Sequence, residues 1–124
     1  MAFDDRDLLR VLRAELAFLD AGGYDKSVPK WRAGLMFEDS PSCLNHNDPA
    51  RHRPCEECVL SHLVPRDARF TAVPCRHISL DANGTTLDQL YRSATYEETK
   101  QAVREWLRNT IAQMEQSLEV RSHH

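Results

Sequence analysis

Residues 24–54 cannot belong to one long helix or to the middle of a sheet. Pro29, Gly34, Pro41, Pro49 and Pro54 interrupt every candidate element there. Proline has no amide hydrogen to donate, and its ring clashes with the preceding helical turn. Asp39-Ser40-Pro41-Ser42 and Asn45-His46-Asn47-Asp48-Pro49 add dense clusters of turn-forming residues. An irregular stretch of this length inside a compact domain is uncommon unless something holds it. Trp31, Leu35, Met36 and Phe37 offer local packing. A metal clip at Cys43 would be a stronger restraint.

Cys43 falls in this stretch, Cys55 and Cys58 directly follow it and Cys75 lies farther on, as Cys43-x11-Cys55-x2-Cys58-x16-Cys75. A C-x2-C pair brings two thiolates within reach of one small cation, and two more distant cysteines complete a tetrahedron. Zinc suits such a set because it is borderline-soft and imposes no strict geometry. The expected site is therefore a structural zinc ion held by Cys43, Cys55, Cys58 and Cys75. His77 is the first alternative fourth ligand, followed by His62 or His46. If residues 55–63 were helical, Cys55, Cys58 and His62 would share one face. An iron–sulfur cluster would use the same four thiolates, but the spacing follows no ferredoxin pattern. Two other readings compete: a redox-active or disulfide-bonded pair, and four unrelated thiols acting as small buried side chains. Glu56 and Glu57 between the close pair oppose thiol activation, and no thioredoxin-like βαβ context surrounds them.

Two amphipathic segments flank this region. Leu9, Leu12, Leu16 and Leu19 recur at helical spacing, with Leu8 and Val11 widening the stripe, and predict a helix from about residue 4 to 21. Gly22-Gly23 supplies its stop. Thr95 and Glu98 form a capping box before Val103, Leu107, Ile111, Met114 and Leu118, which predicts a helix from about 96 to 118. Between them, Pro54 to about Leu63 reads as a short helix ended by Pro65. Phe70–Val73 and Arg76–Leu80 read as short extended pieces, Asn83-Gly84 as a turn, and Thr86–Arg92 as one or two helical turns. The expected fold is mainly α, with a small α+β variant possible. Two long antiparallel amphipathic helices flank a metal-stapled, Cys-rich region over residues 24–92, all in one domain spanning 1–120. Dimerisation through the same stripes is the competing way to bury them.

Apolar residues are 41% and charged residues 28% of the chain, an ordinary globular balance. No apolar run is long enough to span a bilayer, and the N-terminus does not read as a secretory signal. A cytoplasmic location is expected by default. Arg121-Ser122-His123-His124 resembles a tag remnant and is set aside. The net charge of −3 supplies no global field for nucleic acid. Lys30-Trp31-Arg32 and Arg51-His52-Arg53 could contact nucleic acid locally, but the overall acidity argues against it. Lys100, Arg104 and Arg108 form a basic column at i, i+4 spacing, which reads first as a solvated helix face. No glycine-rich phosphate loop is present.

These observations point to a small zinc-stabilised binding or accessory protein whose partner is another protein. The alternative is a metal- or thiol-dependent enzyme built on Cys55 and Cys58, with Glu56 or Glu57 as a nearby base. A nucleic-acid-binding module ranks third.

Overall fold

The computed structural model describes residues 5–26, 34–46, 50 and 53–122. It is mainly helical, and no strand occurs among the described residues. Helix α1 spans Asp5–Asp20, α2 is the single turn Gly23–Lys26, α3 spans Leu87–Ser93 and α4 spans Tyr96–Ser122. Among the described residues between α2 and α3 lie four short 3-10 segments, Cys55–Glu57, Val59–Leu63, Arg66–Ala68 and Pro74–His77.

Helix α1 packs along α4. Leu8, Leu9, Leu12 and Leu19 of α1 are buried with Val103, Leu107 and Ile111 of α4. Each such side chain contributes about 1.5–3 kcal/mol of transfer free energy, so this seam anchors the molecule. The middle of the chain completes the same core with Met36, Phe37, Val59, Leu60, Val64, Ile78, Leu80 and Leu87. The stripes are thus largely covered within one chain, while Met114 and Leu118 stay only partly buried. No helix among the described residues is long and apolar enough to cross a membrane.

The basic column of α4 is answered from within. Arg104 pairs with Asp20 at 2.8 Å, Arg108 reaches the same carboxylate at 3.9 Å, and Lys100 meets Asp25 at 3.3 Å. Arg13 meets Glu115 at 3.5 Å, farther along both helices. The column ties α1 and α2 to α4 and does not face solvent alone. Exposed pairs of this kind are each worth about 0–1 kcal/mol.

The helix ends follow the local chemistry. Gly22 has φ of 76°, the left-handed conformation a stop requires, and its amide donates to the Leu19 carbonyl. At α4 the Glu98 amide donates to Thr95 Oγ1 and the Thr95 amide donates to Glu98 Oε1, completing the capping box. A second capping box, Thr86 with Gln89, starts α3. Helix α4 runs past Leu118 because no breaker follows, so Arg121 and Ser122 continue it. His123 and His124 lie outside the described residues.

Two expectations for the middle need correction. The predicted helix over 54–63 is two 3-10 segments broken at Cys58, whose backbone is extended with φ −79° and ψ 134°. The break at Cys58 lets Val59, Leu60 and Val64 reach the core, and this tertiary packing overrides the local helical preference. Cys55, Cys58 and His62 therefore do not share a helical face. The extended pieces over 70–73 and 76–80 form no strands either. Pro74 begins a 3-10 turn instead. The Asn83-Gly84 turn does form, with Gly84 at φ 75° and the Leu80 amide donating to the Thr85 carbonyl at 2.8 Å. The turn lacks flanking strands long enough to make a hairpin ladder.

Candidate metal centre

Three chain segments deliver the four cysteines. Cys43 follows a turn in which its amide donates to the Ser40 carbonyl at 3.0 Å. Cys55 opens the first 3-10 segment directly after Pro54, and Cys58 occupies the extended break three residues later. Cys75 sits in the 3-10 turn Pro74–His77. None of the four is in a disulfide. All four line one cavity of about 30 Å³, with Phe37, Leu44, Asn45, Leu60, Ser61 and Pro74 completing its wall. That volume is about the share of one water molecule in the liquid. Among the described residues, no three His, Cys, Asp or Glu groups are already gathered as a coordination cage. The cysteines share a cavity wall.

Side-chain clamps in and beside the cavity wall hold these segments together. Asn45 is buried, and it both donates to the Arg53 carbonyl at 3.0 Å and accepts from the Arg53 amide at 2.9 Å. This clamp brings the Cys43 loop beside the Cys55 turn. Glu38 and Arg76 form a two-pronged ion pair at 2.8 and 2.9 Å, which ties the Phe37 loop to the turn bearing Cys75. The Arg76 guanidinium also lies 5.7 Å from the centre of the Tyr91 ring. The Tyr91 hydroxyl accepts the Met36 amide at 2.8 Å. Among the described residues every buried side-chain nitrogen and oxygen has a hydrogen-bond partner. The cavity wall therefore presents sulfur chemistry.

The electrostatic setting keeps two of the thiols protonated in the absence of a cation. Burial pushes the Cys75 thiol well above its ordinary range, and the carboxylate of Glu38 and the other three cysteines push the same way. Burial likewise raises Cys58, opposed by a hydrogen bond from the Leu60 amide and reinforced by Cys43, Cys55 and Glu15. A thiol held protonated is a poor nucleophile. A divalent cation in the cavity would reverse the balance, since metal coordination favours the thiolate.

The histidines stand elsewhere. His62 is exposed and lines an adjoining cleft with Cys55, Ser61, Arg69 and Pro74. His46 and His77 are half-buried and do not line the cavity. Glu57 is exposed and pairs with Arg53 at 2.6 Å, which suits solvated charge better than a catalytic base. The side chain of Glu56 lies outside the described residues. So do Lys30, Trp31, Arg32, Arg51 and His52, on which a nucleic-acid contact was to rest. Trp106 packs edge-on against Phe37 at 5.9 Å.

Several supporting residues were not anticipated from the sequence. Glu15, Tyr24, Ser40, Asn45 and the Glu38–Arg76 pair all buttress the segments that carry the cysteines. Glu15 did leave a signal: Leu8, Leu12, Glu15 and Leu19 follow 4-3-4 spacing, so a carboxylate interrupts the apolar stripe. The others depend on contacts between distant segments, which no local pattern encodes. No family model, curated protein or solved structure matches this chain.

Proposed function

We propose that this protein is a small binding or accessory module in which Cys43, Cys55, Cys58 and Cys75 hold one structural zinc ion. The observation that carries the proposal is the shared cavity: four cysteines from three segments line one enclosure, with no histidine among the described residues of its wall. A tetrathiolate set leaves no open position for a metal-bound water, and structural zinc sites are closed in this way. The zinc would staple the proline-broken centre, while α1 and α4, read as an antiparallel pair from the ion pairs between them, provide the frame. Burial of the Cys58 thiol weighs against Cys58 as the nucleophile of a thiol-dependent enzyme.

A protein partner is the reading that best suits the outer side of this region. Phe70 is 85% exposed and shares an open cleft with Cys55, Arg53 and Arg69. Aromatic side chains are enriched among the residues that anchor partner interfaces.

Elemental analysis of protein purified without added metal tests the central claim. About one equivalent of zinc, lost together when any two of the four cysteines are replaced by serine, is the expected result. Protein that carries no zinc and takes none up from a stoichiometric supply would overturn the proposal.

A further inference from the structure

We infer that Glu15 is a positioning residue for the metal centre, acting through Ser40 and Tyr24 to set the chain segment that carries Cys43. The inference rests on the zinc reading above and adds the support on which that site depends.

Glu15 is 1% exposed and sits where the α1 stripe calls for an apolar residue. Its Oε1 accepts the Ser40 hydroxyl at 2.6 Å and its Oε2 accepts the Tyr24 hydroxyl at 2.5 Å. Each hydroxyl then accepts a backbone amide. Ser40 Oγ takes the Ser42 amide at 3.1 Å, and the Tyr24 oxygen takes the Phe37 amide at 2.9 Å. The Ser40 carbonyl takes the Cys43 amide at 3.0 Å. One carboxylate on a rigid helix thus fixes both ends of residues 37–43. Phe37 at one end belongs to the cavity wall and has φ of 66°, a conformation a bulky residue holds only when its surroundings impose it. Cys43 at the other end is a cavity cysteine.

The direction of the hydrogens explains why a carboxylate is required. Both hydroxyls spend their single hydrogen on Glu15 and keep a lone pair for a backbone amide. Glutamine at position 15 has the same shape but presents an NH2 to one hydroxyl. That hydroxyl can no longer donate to residue 15, and its hydrogen is left without an acceptor in a buried site. Groups bonded directly to a metal ligand alter metal affinity about 10–100-fold when removed, and the same range bounds the effect expected of Glu15, which reaches Cys43 through Ser40.

The test uses cobalt(II) as a spectroscopic substitute for zinc, with affinities from chelator competition. The variants are Glu15→Gln, Ser40→Ala and Tyr24→Phe. Thr95→Ala, which removes the cap of α4 and lies outside the cavity wall, serves as the control for general destabilisation. The expected result is a four-thiolate cobalt spectrum in the unaltered protein and in Thr95→Ala. Ser40→Ala and Glu15→Gln should bind 10–100-fold more weakly, with the sulfur-to-cobalt charge-transfer band reduced toward three thiolates. Should Glu15→Gln not fold, Ser40→Ala and Tyr24→Phe carry the same expectation. Unchanged affinity and spectrum in these variants would overturn the positioning role while leaving the metal site intact. A loss equal to that of Thr95→Ala, with the four-thiolate spectrum kept, would overturn it as well. No cobalt or zinc binding by the unaltered protein would overturn both this inference and the reading it rests on.

Discussion

Replacing Arg76 with alanine should cost about 2–3 kcal/mol of folding stability. The bidentate pair places two guanidinium nitrogens at 2.8 and 2.9 Å from the Glu38 carboxylate. The Glu38 side chain is only 8% exposed, whereas that of Arg76 is 32% exposed. Breaking a fully buried pair from one side costs about 3–5 kcal/mol, because the remaining charge has lost its partner. The partial exposure of Arg76 lets water replace some of that interaction, which brings the figure down. Loss of the contact over Tyr91 adds roughly 0.5–1 kcal/mol. Urea denaturation of the unaltered protein, Arg76→Ala, Glu38→Ala and the double variant gives the coupling by a double-mutant cycle. A coupling of about 1.5 kcal/mol or more is expected. The double variant should be more stable than the two single losses added together, since no orphaned charge remains. A coupling below about 0.5 kcal/mol would show that the pair behaves as an ordinary surface ion pair and would refute the reasoning from burial.

Two further expectations use different physics. Alanine at Gly34 would place a Cβ 2.6 Å from the Tyr24 carbonyl oxygen, so Gly34→Ala should destabilise by about 2 kcal/mol or more. Gly84→Ala has open space but a φ of 75°, and should cost only about 1 kcal/mol; equal losses by thermal denaturation would refute the steric account. The Tyr96 hydroxyl first, and Lys100 second, hold the Asp25 carboxyl below its ordinary value. Its contribution is therefore present above the unfolded value near 3.8 and lost as pH falls through the folded one. Subtracting Asp25→Asn stabilities from those of the unaltered protein should show a difference that shrinks in acid, and a difference that grows in acid would reverse the assignment. Glu15 has the opposite sign: burial raises it, so its contribution is present below about 4.5 and lost as pH rises through its folded value.

The elements legible in the sequence were those governed by neighbours along the chain. The stripe of α1, the Gly22 stop and the Thr95–Glu98 box are all written within a few residues, and each forms. The second capping box was equally local, with Thr86 three residues before Gln89, and could have been read the same way. Phe70–Val73 and Arg76–Leu80 failed as strands because β propensity reports only that a residue fits a pleated, half-buried surface. No neighbouring strand supplies that surface here. The break at Cys58 was illegible for a related reason. Whether the stretch after Pro54 winds as one α-helix depends on which way Val59, Leu60 and Val64 must point to meet α1, and that is settled by tertiary packing.

The same distinction explains why the cysteines could be singled out while their supports could not. A C-x2-C pair is a local chemical signature, but Glu15, Ser40 and Asn45 acquire meaning only through partners 25, 25 and 8 residues away. Their placement also changes the account of what a metal would do. The middle segment does more than pack locally: Met36, Phe37, Val59, Leu60, Val64, Ile78 and Leu80 are all buried in the common core. The cysteines at 43, 55, 58 and 75 fall between these apolar anchors or beside them. Zinc in the cavity would therefore act on the connecting turns and leave the core to apolar burial. Its stabilising effect would fall on the turns at Cys43 and at Cys55–Cys58, whose backbones make single turn bonds and no helical ladder. There, metal coordination and polar clamps would do together what helix geometry does for α1 and α4.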